Sequence, residues 1–281
     1  MTSFKIKSHA KLNLALNVIG RAVKLHKIES LISFISLHDL IYLKKIKSNN
    51  HKIFFTGKFS KNISKINTIS ILLNLLDAEK LLNNQKFEIK IRKNIPHGAG
   101  MGGGSMNAAS LINFLISKKI LKIKNKKLND LAAKIGSDVV LGLKPGNTIL
   151  SSNGKIKRFV NKKALYVLIA KPYFGCSTKL IYSKVVSFSK SQFKRPQQKM
   201  FQPQYLKALN NDLEKIALRK YPKLNKIRSF MVTLPKNIFV RMTGSGSSIV
   251  AYFHSQKDCS NAYGQFKRKF NSHWCIESKT I

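Results

Sequence analysis

An α+β fold in two domains is the class this chain predicts, and three observations carry that prediction. Strand-like and helical segments follow one another irregularly, without the strict βα alternation of a doubly wound sheet. At 281 residues the chain can bury more than one ordinary core. A boundary near residues 150–162 then divides it into an N-terminal domain, 1–158, and a C-terminal domain, 159–281. No internal repeat interrupts this scheme.

The first third reads mostly as strands. Phe4–Ile19 is followed by Ile28–Ile35, Leu40–Ile46 and the short IFFTG at Ile53–Gly57, all rich in β-branched or aromatic residues. Asn67–Leu82 carries apolar residues at helical spacing behind an asparagine start signal. Phe87–Ile95 alternates polar and apolar residues as a half-buried strand does, and Pro96, which lacks a backbone donor, ends it. Ser105–Ser117 and Leu128–Ile135 read as helices, with Gly136 expected as a left-handed stop for the second. Thr148–Phe159 is expected to be a hairpin about Asn153-Gly154. Ala164–Pro172 reads as a buried strand. Residues 187–204 are polar and aperiodic, so an exposed loop is expected there. Helices at Tyr205–Arg219 and Leu224–Met231, strands at Phe239–Thr243 and Ile249–Phe253, a helix near Ser260–Phe270 and a last strand complete the order.

Charge narrows the function classes without choosing one. The chain has 52 basic and 11 acidic residues, a formal net charge of +41. Such a field attracts phosphate polymers, which makes a nucleic-acid-binding protein one alternative. However, the charge is spread over the whole length, and lysine far outnumbers arginine, the residue suited to reading base edges. The expectation is therefore a solvated basic surface with no specific nucleic-acid partner. Anionic small molecules gain from the same field. Cys176, Cys259 and Cys275 have no metal-type spacing and read as core or surface residues in a reducing compartment. No apolar run approaches the roughly 18 residues of a membrane span. Near the N-terminus, Lys11, Asn13 and Asn17 break up any secretory apolar core. A soluble cytoplasmic protein with no membrane partner is expected.

The most informative stretch is IPHGAGMGGGSMNAASLINFL, Ile95–Leu115, with five glycines between Gly98 and Gly104. A strand, a glycine loop and a helix in succession form a phosphate-binding context, because backbone N–H groups and a helix start both face an anion. A flexible turn capped by Ser105 would need far fewer glycines. The Walker A pattern almost fits at Gly98, Gly103 and Ser105, but Gly104 stands where the lysine must be. A dinucleotide fingerprint fits at Gly98, Gly100 and Gly103, yet Ser117–Asn129 offers no acid for the ribose. The partner motifs of a protein kinase are absent.

A fourth pattern fits better. PHGAGMGGGSMNAA resembles the P-x-G-A-G-L-G-G-G-S-S-N-A-A loop of the GHMP kinase superfamily, which includes galactokinase, homoserine kinase and mevalonate kinase. Its long glycine form is similar to that of the 4-diphosphocytidyl-2-C-methyl-D-erythritol kinases of non-mevalonate isoprenoid biosynthesis. AKLNLALNVIGR at Ala10–Arg21 resembles the opening block of that family. IGSDVVLGLKPG at Ile135–Gly146, STKLIY at Ser177–Tyr182, NDLE at Asn211–Glu214 and MTGSGSS at Met242–Ser248 resemble later blocks, in order and in register.

The resemblance implies a GHMP-kinase-like fold with its active site in the cleft between two domains. It further implies transfer of the γ-phosphoryl group of ATP, accompanied by Mg²⁺, to the 2-hydroxyl of 4-diphosphocytidyl-2-C-methyl-D-erythritol. A related kinase acting on another small alcohol is the nearest alternative. Asp138, which by itself reads as part of a helix cap, corresponds to the family's catalytic aspartate and would be the general base. Lys11 is assigned beside it, and Asn13, on the same strand face, becomes a substrate-positioning amide. Pro96, Gly98, Ala99, Gly100, Gly102, Gly103, Gly104, Ser105 and Asn107 would hold ATP, with Gly244 and Gly246 forming a second loop near the transferred group. His26, Thr178 and Tyr182 correspond to residues at the cytidine end. No protein ligand for the metal is identified. Departures from the family pattern are Leu25 in place of a tyrosine, Met106 and Thr243 in place of serines, and Val139-Val140-Leu141 in place of V-P-F-F.

Overall fold

The computed structural model describes residues 3–22, 26–160 and 163–281. It is an α+β protein whose residues gather into two compact units. One contains the segment ending at Ala10, Leu37–His97 and Gly102–Pro145; the other contains Lys11–Ser36, Gly98–Met101 and Gly146–Ile281. The units interleave in sequence because two long strands, β1 (Ser3–Arg21) and β2 (His26–Ile46), each pass from one unit into the other.

In the first unit, the second half of β2 pairs antiparallel with β4 (Lys86–Arg92), Leu40 opposite Arg92 and Ile46 opposite Lys86. The short β3 (Lys52–Thr56) lies parallel to β4, with Ile53 opposite Ile89. Phe87, Ile89 and Ile91 alternate into the core and meet Ile41 and Leu43 there. Helices α1 (Thr68–Ala78), α2 (Gly103–Ser117) and α3 (Asn125–Ile135) supply Leu72, Leu76, Leu111, Ile112, Leu115 and Ala132 to the same core. Each fully buried Leu or Ile contributes on the order of 1.5–3 kcal/mol, so this core anchors whatever the helix ends carry.

Several boundaries differ from expectation for local reasons. β2 is one strand where two were expected, Ile28–Ile35 and Leu40–Ile46, because Asp39, at the polar interruption, is buried and its carboxylate accepts from the Asn94 and Ile95 amides. Helix α1 starts at the predicted place, with Asn67 accepting from the Ile69 and Ser70 amides in a capping box, but it stops at Ala78 and not at Leu82. Lys80, at φ 54°, turns the chain away. Helix α2 begins at Gly103, two residues before Ser105. Gly136 does end α3, but at φ 169° it is extended and not left-handed. A four-residue helix, α4 (Val139–Gly142), follows it and had no signal of its own.

In the second unit, the first half of β2 pairs with β5 (Asn147–Leu150), which forms the expected hairpin with β6 (Ile156–Phe159). Gly154 sits at φ 78° in its turn, the left-handed region that asparagine-glycine hairpins require. A four-stranded antiparallel sheet has the order β10 (Trp274–Lys279), β7 (Tyr166–Lys171), β9 (Ile249–Phe253), β8 (Phe239–Met242). Helices α5 (Thr178–Ser183), α6 (Pro203–Lys207), α7 (Asp212–Lys220), α8 (Pro222–Thr233) and α9 (Gln256–Lys269) accompany it. Leu213, Leu224, Ile227, Ala262 and Phe266 pack with Leu168, Ala170, Ala251 and Phe253 as its core.

Two expectations are corrected here. The single helix over Tyr205–Arg219 is two, α6 and α7, because Asn211 leaves the helical conformation and caps the second. Residues 187–204 are not simply an exposed loop: Phe193 is fully buried, and a 3-10 turn and the start of α6 occupy the end of the segment. Its anchor is Glu29, a fully buried carboxylate in β2. Glu29 accepts from the Gln192 amide at 2.6 Å, the Phe193 amide at 3.2 Å, the Ser191 hydroxyl at 2.8 Å and the Asn17 amide side chain at 2.9 Å.

Candidate active site

β1 brings Lys11 and Asn13 to one buried face, as the period of two predicts. The Lys11 ammonium donates to Asn13 Oδ1 at 2.6 Å, and Asn13 Nδ2 donates to Ser30 Oγ at 2.8 Å. Ser30 Oγ in turn donates to the Ala15 carbonyl at 2.6 Å. This chain fixes which end of the Asn13 amide faces the ammonium. Without Ser30 the amide could rotate and present a donor to a cation.

Within the same unit, Gly98–Met101 is threaded against the turn between β8 and β9. Thr243 ties both to β1: its hydroxyl accepts from the Asn13 amide at 2.9 Å and donates to the Gly100 carbonyl at 3.2 Å. The Ser247 amide donates to the Gly98 carbonyl at 3.1 Å, and the Lys11 amide to the Met101 carbonyl at 3.1 Å. The glycines are steric necessities. At Gly100, in the left-handed region, a Cβ would stand 2.0 Å from the Thr243 carbonyl oxygen. At Gly244 it would meet the Gly100 carbonyl at 3.0 Å and Asn13 Oδ1 at 3.5 Å; at Gly246 it would meet Met242 Sδ at 2.9 Å. Two glycine turns, far apart in sequence, thus pack backbone to backbone.

In the first unit, Gly102 takes up a left-handed conformation as the N-cap of α2, and no side chain caps the helix. Ser105 is therefore a first-turn residue and not the cap. An uncapped first turn leaves its N–H groups available to an anion. Gly103 lies close beneath Ile95, and a Cβ there would also come within 3.4 Å of the Lys93 ammonium. Lys93 is buried in an ion pair with Asp39, whose other oxygen accepts from the Asn94 and Ile95 amides at 2.7 and 2.9 Å. Thr68, the first residue of α1, donates to the Gly104 carbonyl at 2.8 Å. Pro96 is buried next to this ion-paired turn, and in the second unit Ala99 is buried. Asn107 is 2% exposed, and among the described residues its Oδ1 has no hydrogen-bond partner.

Asp138 stands on the turn between α3 and α4 and makes no side-chain cap on α4, which removes the helix-cap reading of Ser137-Asp138. Two glycines seat that turn beside α2. A Cβ on Gly136 would lie 3.6 Å from Ser105 Oγ, and one on Gly142 only 2.6 Å from Ala109 Cβ. Asn113 also donates to the Gly142 carbonyl at 3.1 Å. The first unit thus carries its acid next to the start of its glycine-led helix.

At the other proposed subsite, the His26 and Tyr182 rings lie 5.1 Å apart, tilted by 37°. His26 Nε2 is buried with no partner among the described residues. Thr178, one helical turn before Tyr182 on α5, shares a 2.8 Å hydrogen bond with Ser245 of the second glycine turn. Leu25 lies outside the described residues. Sequence reasoning missed Ser30, Asp39, Lys93, Thr68 and Ser245, which hold or flank the predicted residues. Ser245 lay inside the MTGSGSS block, and Asp39 showed only as a polar break between Ile28–Ile35 and Leu40–Ile46; the other three had no signal. Nearby, Cys176 is a core thiol pushed up to about 11 by burial, and Cys259 and Cys275 are pushed up to about 12. Among the described residues no group of three or more His, Cys, Asp or Glu is gathered in metal-binding array.

Known proteins resemble this chain in sequence and in fold. Residues 67–152 match the GHMP kinases N terminal domain. The chain is 65% identical over 281 residues, all of both proteins, to a 4-diphosphocytidyl-2-C-methyl-D-erythritol kinase of Pelagibacter ubique. It is 31% identical over 276 residues to a protein of the same name from Clostridium botulinum, covering 94% of this chain and 96% of that one. In fold it resembles the crystal structure of a 4-(cytidine 5'-diphospho)-2C-methyl-D-erythritol kinase, with a TM-score of 0.78, 22% identity, and coverage of 99% of this chain and 100% of that one.

Proposed function

This chain belongs to the 4-diphosphocytidyl-2-C-methyl-D-erythritol kinase family of GHMP kinases, and from that membership we propose its reaction and the role of each site residue. The γ-phosphoryl group of ATP is transferred to the 2-hydroxyl of 4-diphosphocytidyl-2-C-methyl-D-erythritol, a step of isoprenoid biosynthesis. The observation that carries the reading is the 65% identity over the full length of a relative of that name.

Phosphoryl transfer asks a protein chiefly to align reactants and neutralise oxygen charge. Backbone N–H groups of Gly98, Ala99, Gly100, Gly102, Gly103, Gly104 and Ser105 are proposed to hold the phosphates of ATP, with Pro96 ending the preceding strand. The fit rests on the start of α2, where no side chain caps the helix and the first-turn N–H groups are left to an anion. Gly244 and Gly246 extend the cradle. Mg²⁺, entering with the nucleotide, supplies further charge neutralisation; no protein ligand is assigned to it.

Asp138 accepts the proton of the attacking hydroxyl, a contribution of ~10²–10⁴-fold. Lys11 stabilises the oxygen as negative charge develops there, and Asn13 orients the ammonium and the substrate. His26 and Tyr182 offer ring faces to the cytosine, and the Thr178 hydroxyl lies one helical turn before Tyr182. No nucleic-acid or membrane partner is assigned, and no described helix is long and apolar enough to cross a membrane. A cytoplasmic location, with its substrates, is part of the proposal.

An ADP-release assay over a panel of alcohols tests the proposal. Turnover with the diphosphocytidyl alcohol and none with homoserine, mevalonate or galactose is expected. Equal or faster turnover with one of the others would overturn the substrate assignment.

A further inference from the structure

The NDLE block, Asn211–Glu214, has no role in the reaction described above, yet its polar side chains all reach out of their own helix. Asn211 is 4% exposed and uses both ends of its amide. Its Oδ1 accepts from the Leu213 amide at 3.0 Å, which caps α7. Its Nδ2 donates twice, to the carbonyls of Met242 and Gly244, each at 2.8 Å. Asp212 accepts from the Val18 amide in β1 at 2.7 Å, and Glu214 accepts from the Met242 amide at 2.7 Å while paired with Arg228. Met242 is therefore held at its N–H by Glu214 and at its carbonyl by Asn211. Two residues on, the Gly244 carbonyl is held by the same amide.

We infer that Asn211 is a positioning residue for phosphoryl transfer, which sets the shape of the second glycine turn through the Met242 and Gly244 carbonyls. The turn tolerates little change of shape. Gly244, at φ 56°, sits with its Cβ direction 3.0 Å from the Gly100 carbonyl and 3.5 Å from Asn13 Oδ1. Releasing the Gly244 carbonyl lets that peptide rotate, which moves the turn against both neighbours. A displacement of about 1 Å of reacting groups can cost ~10²-fold in rate. The inference rests on the kinase reading, with Gly244 and Gly246 next to the transferred group.

Capping and clamping use opposite ends of one amide, so they can be separated. Ser and Asp cap helices about as well as Asn. Asn211→Ser keeps an acceptor for Leu213 and replaces the two Nδ2 donors by a single hydroxyl hydrogen on a shorter side chain. Asn211→Asp also keeps the cap and turns a carboxylate oxygen toward two carbonyl oxygens. The expected order of kcat is parent, then Asn211→Ser about tenfold lower, then Asn211→Asp about a hundredfold lower. KM for the alcohol substrate should stay within about threefold, because its proposed contacts are elsewhere. Equal kcat in all three proteins would overturn the inference and leave Asn211 as a cap alone.

Amide hydrogen exchange gives a readout that does not depend on the substrate assignment. Faster exchange over residues 243–248 in Asn211→Ser, with α7 still protected, is the expected result. Unchanged exchange there, or loss of α7 protection in both variants, would contradict it. An inactive parent protein that still shows the predicted exchange pattern would instead count against the kinase reading.

Discussion

Gly100 shows how one residue can be required by contact and by backbone angle together. It adopts φ 71°, and a Cβ would fall 2.0 Å from the Thr243 carbonyl, a position no relaxation of a side chain can relieve. Left-handed backbone costs a non-glycine residue roughly 1–2 kcal/mol before any clash is counted. Gly100→Ala is therefore expected to lower kcat/KM for ATP about a hundredfold through displacement of the cradle. Steady-state kinetics at varied ATP would show it, and a value within twofold of the parent would contradict it. Gly154, also left-handed, has open space around it. The same substitution there should cost only the backbone strain and leave the kinetics unchanged.

At the level of elements, the segment 187–202 depends on Glu29. Its carboxylate is fully buried and accepts four hydrogen bonds, from Asn17, Ser191, Gln192 and Phe193. Leaving such donors unpaired costs about 1–3 kcal/mol each. Glu29→Ala is expected to release the segment and speed tryptic cleavage at the exposed Lys190 and Lys194 about tenfold. Unchanged cleavage would mean that Phe193 burial alone holds it. None of this was legible in the sequence, because Glu29 and Gln192 lie 163 residues apart. Local signals fared well at Asn67, which marked the start of α1, and at Asn153-Gly154, which marked the hairpin. The strand expected to run from Phe87 to Ile95 ends earlier, at Arg92, because Lys93, Asn94 and Ile95 turn to Asp39. Signals failed where tertiary contacts took over. Asp39 looked like a break in β2 until burial against Lys93 and two amides absorbed it. Helix α4, at four residues, is too short to show periodicity. The candidate site could be proposed from motifs, because Gly98–Ser105 and MTGSGSS are contiguous. Their supports, Ser30 and Asn211 among them, could not.

For the whole molecule, a formal charge of +41 surrounds a reaction whose proposed substrates are all anionic. Long-range attraction of this kind raises encounter rates and is screened by salt over about 10 Å at 0.1 M. Raising salt from about 50 to about 200 mM should lower kcat/KM for ATP several-fold and leave kcat within twofold. A kcat that falls in parallel would show that salt acts on the folded enzyme and not on encounter. A hydrophobic cluster in each compact unit supports the residues proposed for the reaction: Asp138, on the turn seated beside α2, in one and Lys11 and Asn13, on β1, in the other. The central claim is that Asp138 serves the chemistry and not the binding of nucleotide. Single-turnover phosphoryl transfer by Asp138→Asn, with ATP affinity measured on the same protein, tests it most directly. A rate lowered ~10²–10⁴-fold with ATP affinity within threefold of the parent is predicted. An unaltered rate, or a loss explained wholly by weaker ATP binding, would contradict it.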